Sequence, residues 1–271
     1  MSKQQESGTG IKSFFAAIVI PIALIIGFLI WKFVMGDPHR FQDMNPELNP
    51  LPGDILGAMY KGGFLVPVLI GAFVVVLTFS IERFITIGRS KGSGSVEGFV
   101  RTVRSLVAKN DIAGAKAACD RQRGSMANVV NAGLYMYEQM MNDRELDKER
   151  KILAIQKELE EATTLELPML SKNLVIISTI ASIATLLGLL GTVIGMIRAF
   201  AALATAGAPD AVALSTGISE ALNNTALGIL TSAVAIIMYN YFTNKIDSIT
   251  YGIDEAGYSI VQAFAAKTKQ A

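Results

Sequence analysis

The chain has 271 residues, of which 51% are hydrophobic and 17% are charged, a more apolar composition than that of most soluble domains. The formal net charge of +1 gives no indication of a nucleic-acid partner. A single cysteine, Cys119, excludes an intrachain disulfide, and the chain has one histidine, His39, and no cluster of Cys, His and acidic residues with metal-ligand spacing. We also find no nucleophile motif, acid–base pair or phosphate loop, so we expect no cofactor and no enzymatic activity.

The hydrophobic residues form four blocks, and most of the charges lie between them. The blocks cover roughly residues 14–35, 64–81, 173–203 and 211–242. Each is close to or longer than the ~20 apolar residues that a spanning helix needs. The pattern predicts an all-α fold, a polytopic membrane helical bundle whose long helices extend into the cytoplasm beside a small helical cytoplasmic domain.

The first block could instead be a signal peptide, since Lys3 and Lys12 precede it. Its apolar run is longer than the ~7–15 residues usual in a signal peptide, and no convincing small-x-small cleavage site follows. We therefore favour a retained helix that ends at Trp31 and Lys32.

Lys and Arg indicate the orientation, because they are enriched in cytoplasmic segments. Residues 82–172 are rich in them, including Arg83, Arg89 and Lys91, and Lys245 follows the fourth block. The loop TAGAPDA between the third and fourth blocks has none. We therefore expect residues 82–172 and both termini to lie in the cytoplasm, and the Pro-rich, irregular loop after the first block to lie on the outer side.

These signals divide the chain into six parts. They are an N-terminal tail and extra transmembrane helix (1–35), a periplasmic loop (36–63), a transmembrane helix (64–90), a cytoplasmic helical domain (91–172), a two-helix pore-forming transmembrane unit (173–245) and a cytoplasmic C-terminal tail (246–271).

The cytoplasmic part predicts helices but no chemistry. After the flexible stretch KGSGS, apolar residues at helical spacing predict a first helix, and Asp111 is placed to cap a second. A third helix follows, and a charged helix from Arg144 to Leu170 runs into the third span. We expect Cys119 to be a small buried residue, and the KELEE run to be a solvated face.

The third span carries a stripe of hydroxyls beside glycines. Ser178, Thr185 and Thr192 are spaced by seven residues and therefore share one helix face. Gly188, Gly191 and Gly195 lie nearby, as does Gly228 in the fourth span. Small residues let helix backbones approach closely in lipid, so close packing is the simplest interpretation of these glycines.

The fourth span is polar along one side. At about 100° per residue, its polar side chains fall within half of the helix, and Ile218, Leu222, Ile229 and Ile236 lie on the remaining side. The polar set consists of Ser215, Thr216, Ser219, Glu220, Asn223, Asn224 and Thr231. Thr225 and Ser232 form a separate flank. We expect the polar side to face protein or water.

We call the hydroxyl stripe of the third span together with the polar side of the fourth span the seam. Glu220 is its most informative residue. An ionised side chain at the centre of a membrane helix costs about 2.5–3.5 kcal/mol, which favours a functional role. Alternatively, Glu220 lies near the outer interface and simply pairs with Arg198. Since hydroxyls both donate and accept hydrogen bonds, such a seam suits proton passage better than the binding of a large solute.

Two stretches carry a family resemblance: ATLLGLLGTVIGMIRAF (184–200) and GISEALNNTALGILTSAVAIIMYN (217–240). Together they resemble the paired signature of the ExbB/TolQ/MotA proton-channel family, most closely ExbB and TolQ. The span that closes with Glu82 and Arg83 is similar to the first conserved transmembrane helix of that family. The resemblance covers roughly residues 53–245.

The resemblance implies a homo-pentamer in the bacterial inner membrane. Such pentamers surround a dimer of a single-span partner of the ExbD/TolR type with an intramembrane Asp, and they convert proton motive force into motion passed on through a TonB-like protein. Thr192, Thr225 and Glu220 match the motif residues of the family and are implied pore or pathway residues. We add Thr185 and Asn224 to the pathway, and we assign Gly188, Gly191, Gly195 and Gly228 to close packing.

The chain departs from the family pattern in several places. Thr185 and Val234 stand where ExbB-like proteins usually have Pro, Asn223 and Asn224 are more polar than usual, and the first span is additional. The alternatives are a TolQ-like or gliding-motor-like stator, or a membrane scaffold whose seams only pack helices and conduct nothing.

Overall fold

The computed structural model describes the backbone of residues 6–205 and 211–267, and the side chains of 15–201 and 214–267. The end of the predicted C-terminal tail and most of the predicted loop TAGAPDA lie outside these residues. Within them the chain is helical and has no β-strand, only one isolated bridge between Phe41 and Pro50. The predicted all-α fold is confirmed.

Nine α-helices follow one another along the described residues. They are α1 (Glu6–Leu29), α2 (Ile55–Tyr60), α3 (Leu65–Lys91), α4 (Val96–Ala108), α5 (Ile112–Gln122), α6 (Gly124–Asn142), α7 (Lys148–Ser171), α8 (Leu174–Thr205) and α9 (Ala211–Lys267). A π-helical turn, Ile30–Met35, extends α1. Four stretches are long and apolar enough to cross a membrane, and they contain α1, α3, α8 and the first part of α9. The chain is a multi-pass membrane protein.

The chain forms two compact units. The first comprises Met1–Ile81 and Asn173–Tyr239, and the second comprises Glu82–Lys172 and Asn240–Ala271. The long helices α3 and α9 each contribute to both. The break between α7 and α8 lies at Asn173, whose φ of 66° is left-handed, so the charged helix does not run into the third span without interruption.

In the first unit, α1 packs against α3 through small residues. A Cβ atom on Gly71 would lie 2.9 Å from the Leu24 side chain, which shows how closely the two helices approach. Phe15 and Phe79 meet edge to face, 5.9 Å between ring centres. On α9, the predicted apolar side is outward: Leu222, Ile229 and Ile236 are 47–63% exposed, as expected where lipid is the solvent.

Residues 36–63, which we call the connector, join α1 to α3 and form an ordered structure. Two 3₁₀ turns precede α2, and Asp54 caps α2 by accepting a hydrogen bond from the Gly57 amide at 2.7 Å. Arg40 pairs with Asp54 at 3.1 Å. The Trp31 ring stacks on Tyr60 at 4.8 Å and its indole N–H donates to the Tyr60 carbonyl. The sequence predicted only an irregular loop here.

The second unit packs α4–α7 with the last part of α9. Asp111 caps α5 as predicted, by accepting from the Gly114 amide, and Cys119 is buried. The segment predicted as a C-terminal tail is helical to Lys267. Its apolar residues recur every three or four positions and are buried in this unit: Ile249, Ile253, Ala256, Ile260 and Phe264.

Candidate functional site

The helices α8 and α9 touch almost backbone to backbone. A Cβ atom on Gly188 would lie 3.2 Å from the Cα of Gly228, and one on Gly195 would lie 2.8 Å from the Ala221 side chain. A Cβ on Gly228 would lie only 2.6 Å from the Ala184 carbonyl. Alanine at these positions would therefore force the helices apart. Such close approach is the geometry that small residues allow between helices in a membrane.

Two hydroxyls of α9 bridge this contact. Thr225 donates to the carbonyl of Gly188 at 3.1 Å, and Ser232 donates to the carbonyl of Ala181 at 2.5 Å. Both acceptors belong to α8. These two residues were predicted to form a separate flank of α9, and that flank is the side that faces α8. Thr225 therefore has a partner inside the chain, which makes it a fixed element of the interface.

The threonines of α8 are placed differently. Thr192 donates to the carbonyl of Leu189, three residues earlier in its own helix, at 2.6 Å. Its side chain is half-buried and, with Val193 and Ile197, lines an open groove of about 540 Å³. Thr185 is also half-buried and, seven residues away, shares the same face. The oxygen of Thr192 can still accept a hydrogen bond from another molecule.

Glu220 lies near two cationic side chains, Arg198 and Lys61. Its carboxylate is 4.0 Å from the Arg198 guanidinium, and the Glu220 side chain is 17% exposed against 56% for Arg198. Burial lowers the pKa of Lys61, while the negative charges of Glu220 and Glu47 oppose that effect. Glu220 is thus within electrostatic reach of Lys61, a proximity that no local sequence pattern predicts. A carboxylate between two cations can take up and release a proton as those contacts change.

The two adjacent asparagines anchor the connector to α9. Asn223 donates its amide N–H to the carbonyl of Ala58 at 3.0 Å, and Asn224 donates to the carbonyl of Gly62 at 2.9 Å. Asn224 is 3% exposed. Both acceptors lie in the connector, so these two amides hold the connector against α9. Asn223 was predicted to lie on the polar side of α9 that faces protein or water, but the carbonyl to which it donates could not be located from sequence.

The oxygen of the Asn224 amide lies beside a small cavity. This buried atom has no hydrogen-bond partner among the described residues. The cavity has a volume of about 10 Å³ and also touches Glu220, Arg198 and Gly191. That volume is at the lower limit for one water molecule, which needs polar partners such as these. Glu220 and Asn224 therefore line the same cavity.

The seam therefore separates into two groups. Glu220, Asn224 and Thr225 lie at the contacts of α9 with its neighbours, whereas Thr192 and Thr185 lie on a face of α8 that is partly open. The four glycines, Gly188, Gly191, Gly195 and Gly228, lie in the α8–α9 contact. Among the described residues no group of three or more His, Cys, Asp or Glu could hold a metal ion.

Comparisons with known proteins find relatives over the part of the chain that carries these residues. Residues 123–255, which include the whole seam, match the model of the MotA/TolQ/ExbB proton channel family. A putative biopolymer transport protein ExbB-like 3 of Synechocystis is 38% identical over 86 residues, 31% of this chain and 41% of the relative. Biopolymer transport protein ExbB of Aquifex aeolicus is 38% identical over 77 residues, 28% of this chain and 52% of the relative.

A longer match is to the Tol-Pal system protein TolQ of Pseudomonas aeruginosa. It is 27% identical over 132 residues, 46% of this chain and 57% of that protein. The chain spans about half the length of the curated relatives it matches.

Proposed function

We propose that this chain, which belongs to the MotA/TolQ/ExbB proton channel family, is an ExbB-like stator subunit that converts proton motive force into mechanical work for outer-membrane active transport. The observation that carries the proposal is Glu220. It is the one acidic residue in residues 174–201 and 214–246, and it lies on a polar seam within the matched region. We propose no covalent chemistry for the chain.

The proposed assembly is a homo-pentamer around a dimer of an ExbD/TolR-like partner with one span and an intramembrane Asp. Support comes from the outward face of α8. There Thr192 lies among apolar residues such as Val193 and Ile197, which are 52% and 63% exposed. A partner helix against this face would place a carboxyl group within reach of a hydroxyl that can accept or donate a hydrogen bond.

We propose an inner-membrane location with both termini in the cytoplasm and the connector on the periplasmic side. The distribution of Lys and Arg supports this orientation. Protons then enter beside the connector, where Glu220, Arg198 and Lys61 lie, and they pass along the seam towards the partner's carboxyl group. Motion of the partner is transmitted to a TonB-like protein.

A TolQ-like stator is the second candidate. The match to a TolQ covers 132 residues, a longer stretch than the matches to the ExbB relatives given above. The two functions share the same seam and differ in the protein that receives the work. Deletion of the gene, followed by assays of outer-membrane uptake and of outer-membrane integrity, distinguishes them.

The assembly is tested by native mass spectrometry of the detergent-solubilised chain, with and without the single-span partner. A pentamer that gains two partner chains supports the stator. A monomer or dimer that is indifferent to the partner contradicts it, and the seam then serves only to pack helices.

The use of Glu220 is tested in cells that depend on this chain for energised uptake. Glu220→Gln keeps the shape of the side chain and removes its charge, so uptake should fall to the level of the deletion while the complex still assembles. Glu160→Gln, at an exposed position of α7, is the matched control and should leave uptake unchanged. Normal uptake with Glu220→Gln would show that the carboxylate is structural.

A further inference from the structure

A groove in the second unit combines positive charge with an apolar wall. Its volume is about 440 Å³, within the range of small-molecule sites. Two helix faces form most of it, each with residues spaced by four and three: Phe84, Gly88 and Lys91 on α3, and Tyr241, Lys245 and Ser248 on α9. The start of α4 closes a third side with Ser95, Val96 and Glu97. The mechanism proposed above uses none of these residues.

Apolar, aromatic and positively charged residues follow one another along the groove. Phe84 and Tyr241 are exposed and their rings are 5.2 Å apart, while Phe242, Ile87 and Ile249 are buried behind them. Lys91 lies two helical turns beyond Phe84, and Lys245 lies one turn beyond Tyr241, with its ammonium group 5.6 Å from that ring. Aromatic residues with lysines one or two turns further out are typical of the interface between lipid and water.

The charge of the groove is positive. The titratable groups that line it are Lys91, Lys245, Glu97 and the Tyr241 hydroxyl. At neutral pH these give two positive charges and one negative charge. Both lysines are exposed, and no hydrogen bond or ion pair of either ammonium group is seen among the described residues. Both ammonium groups therefore remain available to an anion.

Gly88 leaves space where a side chain would normally stand. A Cβ atom added there would meet nothing within 4 Å, although the residue lies inside the helix α3. Glycine inside a helix is less favourable than alanine. Here that cost is not explained by close packing, as it is at Gly188 or Gly228. The empty space above Gly88 opens directly into the groove.

We propose that this groove binds the headgroup of an anionic phospholipid, with its phosphate between Lys91 and Lys245 and its glycerol and upper acyl carbons along Phe84, Gly88 and Tyr241. A membrane protein is always surrounded by lipid, and the order of apolar, aromatic and cationic residues matches the order of groups in such a lipid. Exposed Glu97 disfavours a second phosphate and favours a headgroup that carries hydroxyl groups, such as phosphatidylglycerol.

The inference rests on the orientation of the proposed function, which puts this end of α3 on the cytoplasmic side. Its readout is lipid binding and needs no proton flow. A chain that failed every test of proton coupling could therefore still bind the lipid, and a conducting chain could fail to bind it.

The test uses the full chain, reconstituted in nanodiscs that contain equal amounts of phosphatidylglycerol and phosphatidylcholine and then analysed by native mass spectrometry. Wild type should retain phosphatidylglycerol preferentially. The double variant Lys91→Gln/Lys245→Gln should bind it about 10- to 30-fold more weakly, because each lysine near the surface contributes to anionic-lipid affinity. Lys109→Gln/Lys157→Gln removes two exposed lysines outside the groove and should leave retention unchanged.

A second variant fills the groove without touching its charges. Gly88→Leu places a side chain in open space, so the fold should persist and the retention of both lipids at this site should fall. Wild-type retention in either the double-lysine variant or Gly88→Leu would overturn the proposal. Displacement of the lipid by millimolar inorganic phosphate would overturn it in favour of a soluble anion. A loss of oligomer mass in Gly88→Leu with unchanged lipid would show that a second copy of the chain occupies the groove.

Discussion

At the scale of single residues, the seam contains hydroxyls with two different kinds of partner. Thr225 on α9 donates across the helix contact to Gly188, whereas Thr192 donates back into α8 itself. The first bond joins two helices, and the second satisfies only a local carbonyl. We therefore expect Thr225 to contribute to the free energy of unfolding of the chain. We expect Thr192 to contribute to energised uptake instead.

Valine at each position separates these roles, since it is nearly isosteric with threonine. Thr225→Val should lower the free energy of unfolding by about 0.6–1.7 kcal/mol, the range for interhelical hydrogen bonds in membranes. Thr192→Val should leave unfolding unchanged and reduce energised uptake. Thermal unfolding in detergent measures the first effect, and Thr225→Ser, which keeps the hydroxyl, should recover most of it. Equal destabilisation by both valines would contradict the distinction.

Asn224 provides a second test at this scale. Replacing it with Leu removes the donor to the Gly62 carbonyl at a buried position. A buried carbonyl left without its donor costs about 1–3 kcal/mol. We expect a loss of stability of that size, together with faster amide exchange in the connector. Asn244→Leu, at an exposed position of α9, is the control and should show neither change.

At the scale of elements, the connector is an ordered structure outside the residues that match the family model. Its short helix α2 has only six residues, too few to be stable alone, so it depends on its cap and on its contacts. The Gly57 amide, with Arg40 beside it, holds the pKa of Asp54 below its ordinary value, although burial acts in the opposite direction. The folded connector therefore favours the ionised form of Asp54.

The connector should consequently loosen in acid. Because the pKa of Asp54 is lower in the folded than in the unfolded chain, its contribution is complete above the ordinary value of 3.8 and is lost as the pH falls through the folded value. Asp54→Ala at neutral pH should mimic that loss, with about fivefold lower protection from hydrogen exchange at the α2 amides, because the cap is missing. Asp37→Ala, also in the connector, should not change protection in α2. Unchanged α2 protection in Asp54→Ala would show that contacts alone hold the helix.

The elements also show what the sequence could and could not predict. The length of the apolar blocks predicted the four spans, helix periodicity predicted the sided polarity of α9, and residue type predicted the cap at Asp111, because each is a local property of the sequence. The helix that replaces the predicted tail carries the same signal, in the spacing of Ile249, Ile253 and Ile260, but it lies beyond the apolar block. Sequence analysis offered Arg198 as a partner of Glu220, and the two lie 4.0 Å apart. The partners of Asn223 and Asn224, and the electrostatic coupling of Glu220 to Lys61, depend on how the connector folds, and no local pattern contains that information.

At the scale of the molecule, the chain combines a unit suited to lipid with a unit built around an ordinary buried core. The first exposes large apolar residues along α8 and α9, and the second buries Tyr137, Ile155 and Phe264. Cys119 belongs to the second unit, where burial raises the pKa of its thiol to about 12. This single thiol can report on the second unit separately from the rest of the chain.

Cys119 should not react with a maleimide at pH 7.5 while the second unit is folded, because both the pKa and the burial suppress the thiolate. Labelling should begin only at the denaturant concentration that unfolds this unit. Mass spectrometry of samples quenched along a urea series measures the fraction of Cys119 that is labelled at each urea concentration. Complete labelling of the native protein within minutes would contradict the buried placement.

The proposed function requires that Glu220 and the α8 hydroxyls conduct protons when the subunit is assembled with its partner. The most direct measurement is proton flux into liposomes that contain the complex of this chain with the single-span partner, driven by a membrane potential and followed with an internal pH dye. We expect flux for wild type and for Glu160→Gln. We expect a loss of flux for Glu220→Gln and Thr192→Val in complexes whose native mass is unchanged. Undiminished flux through intact Glu220→Gln and Thr192→Val complexes would show that these residues do not conduct protons.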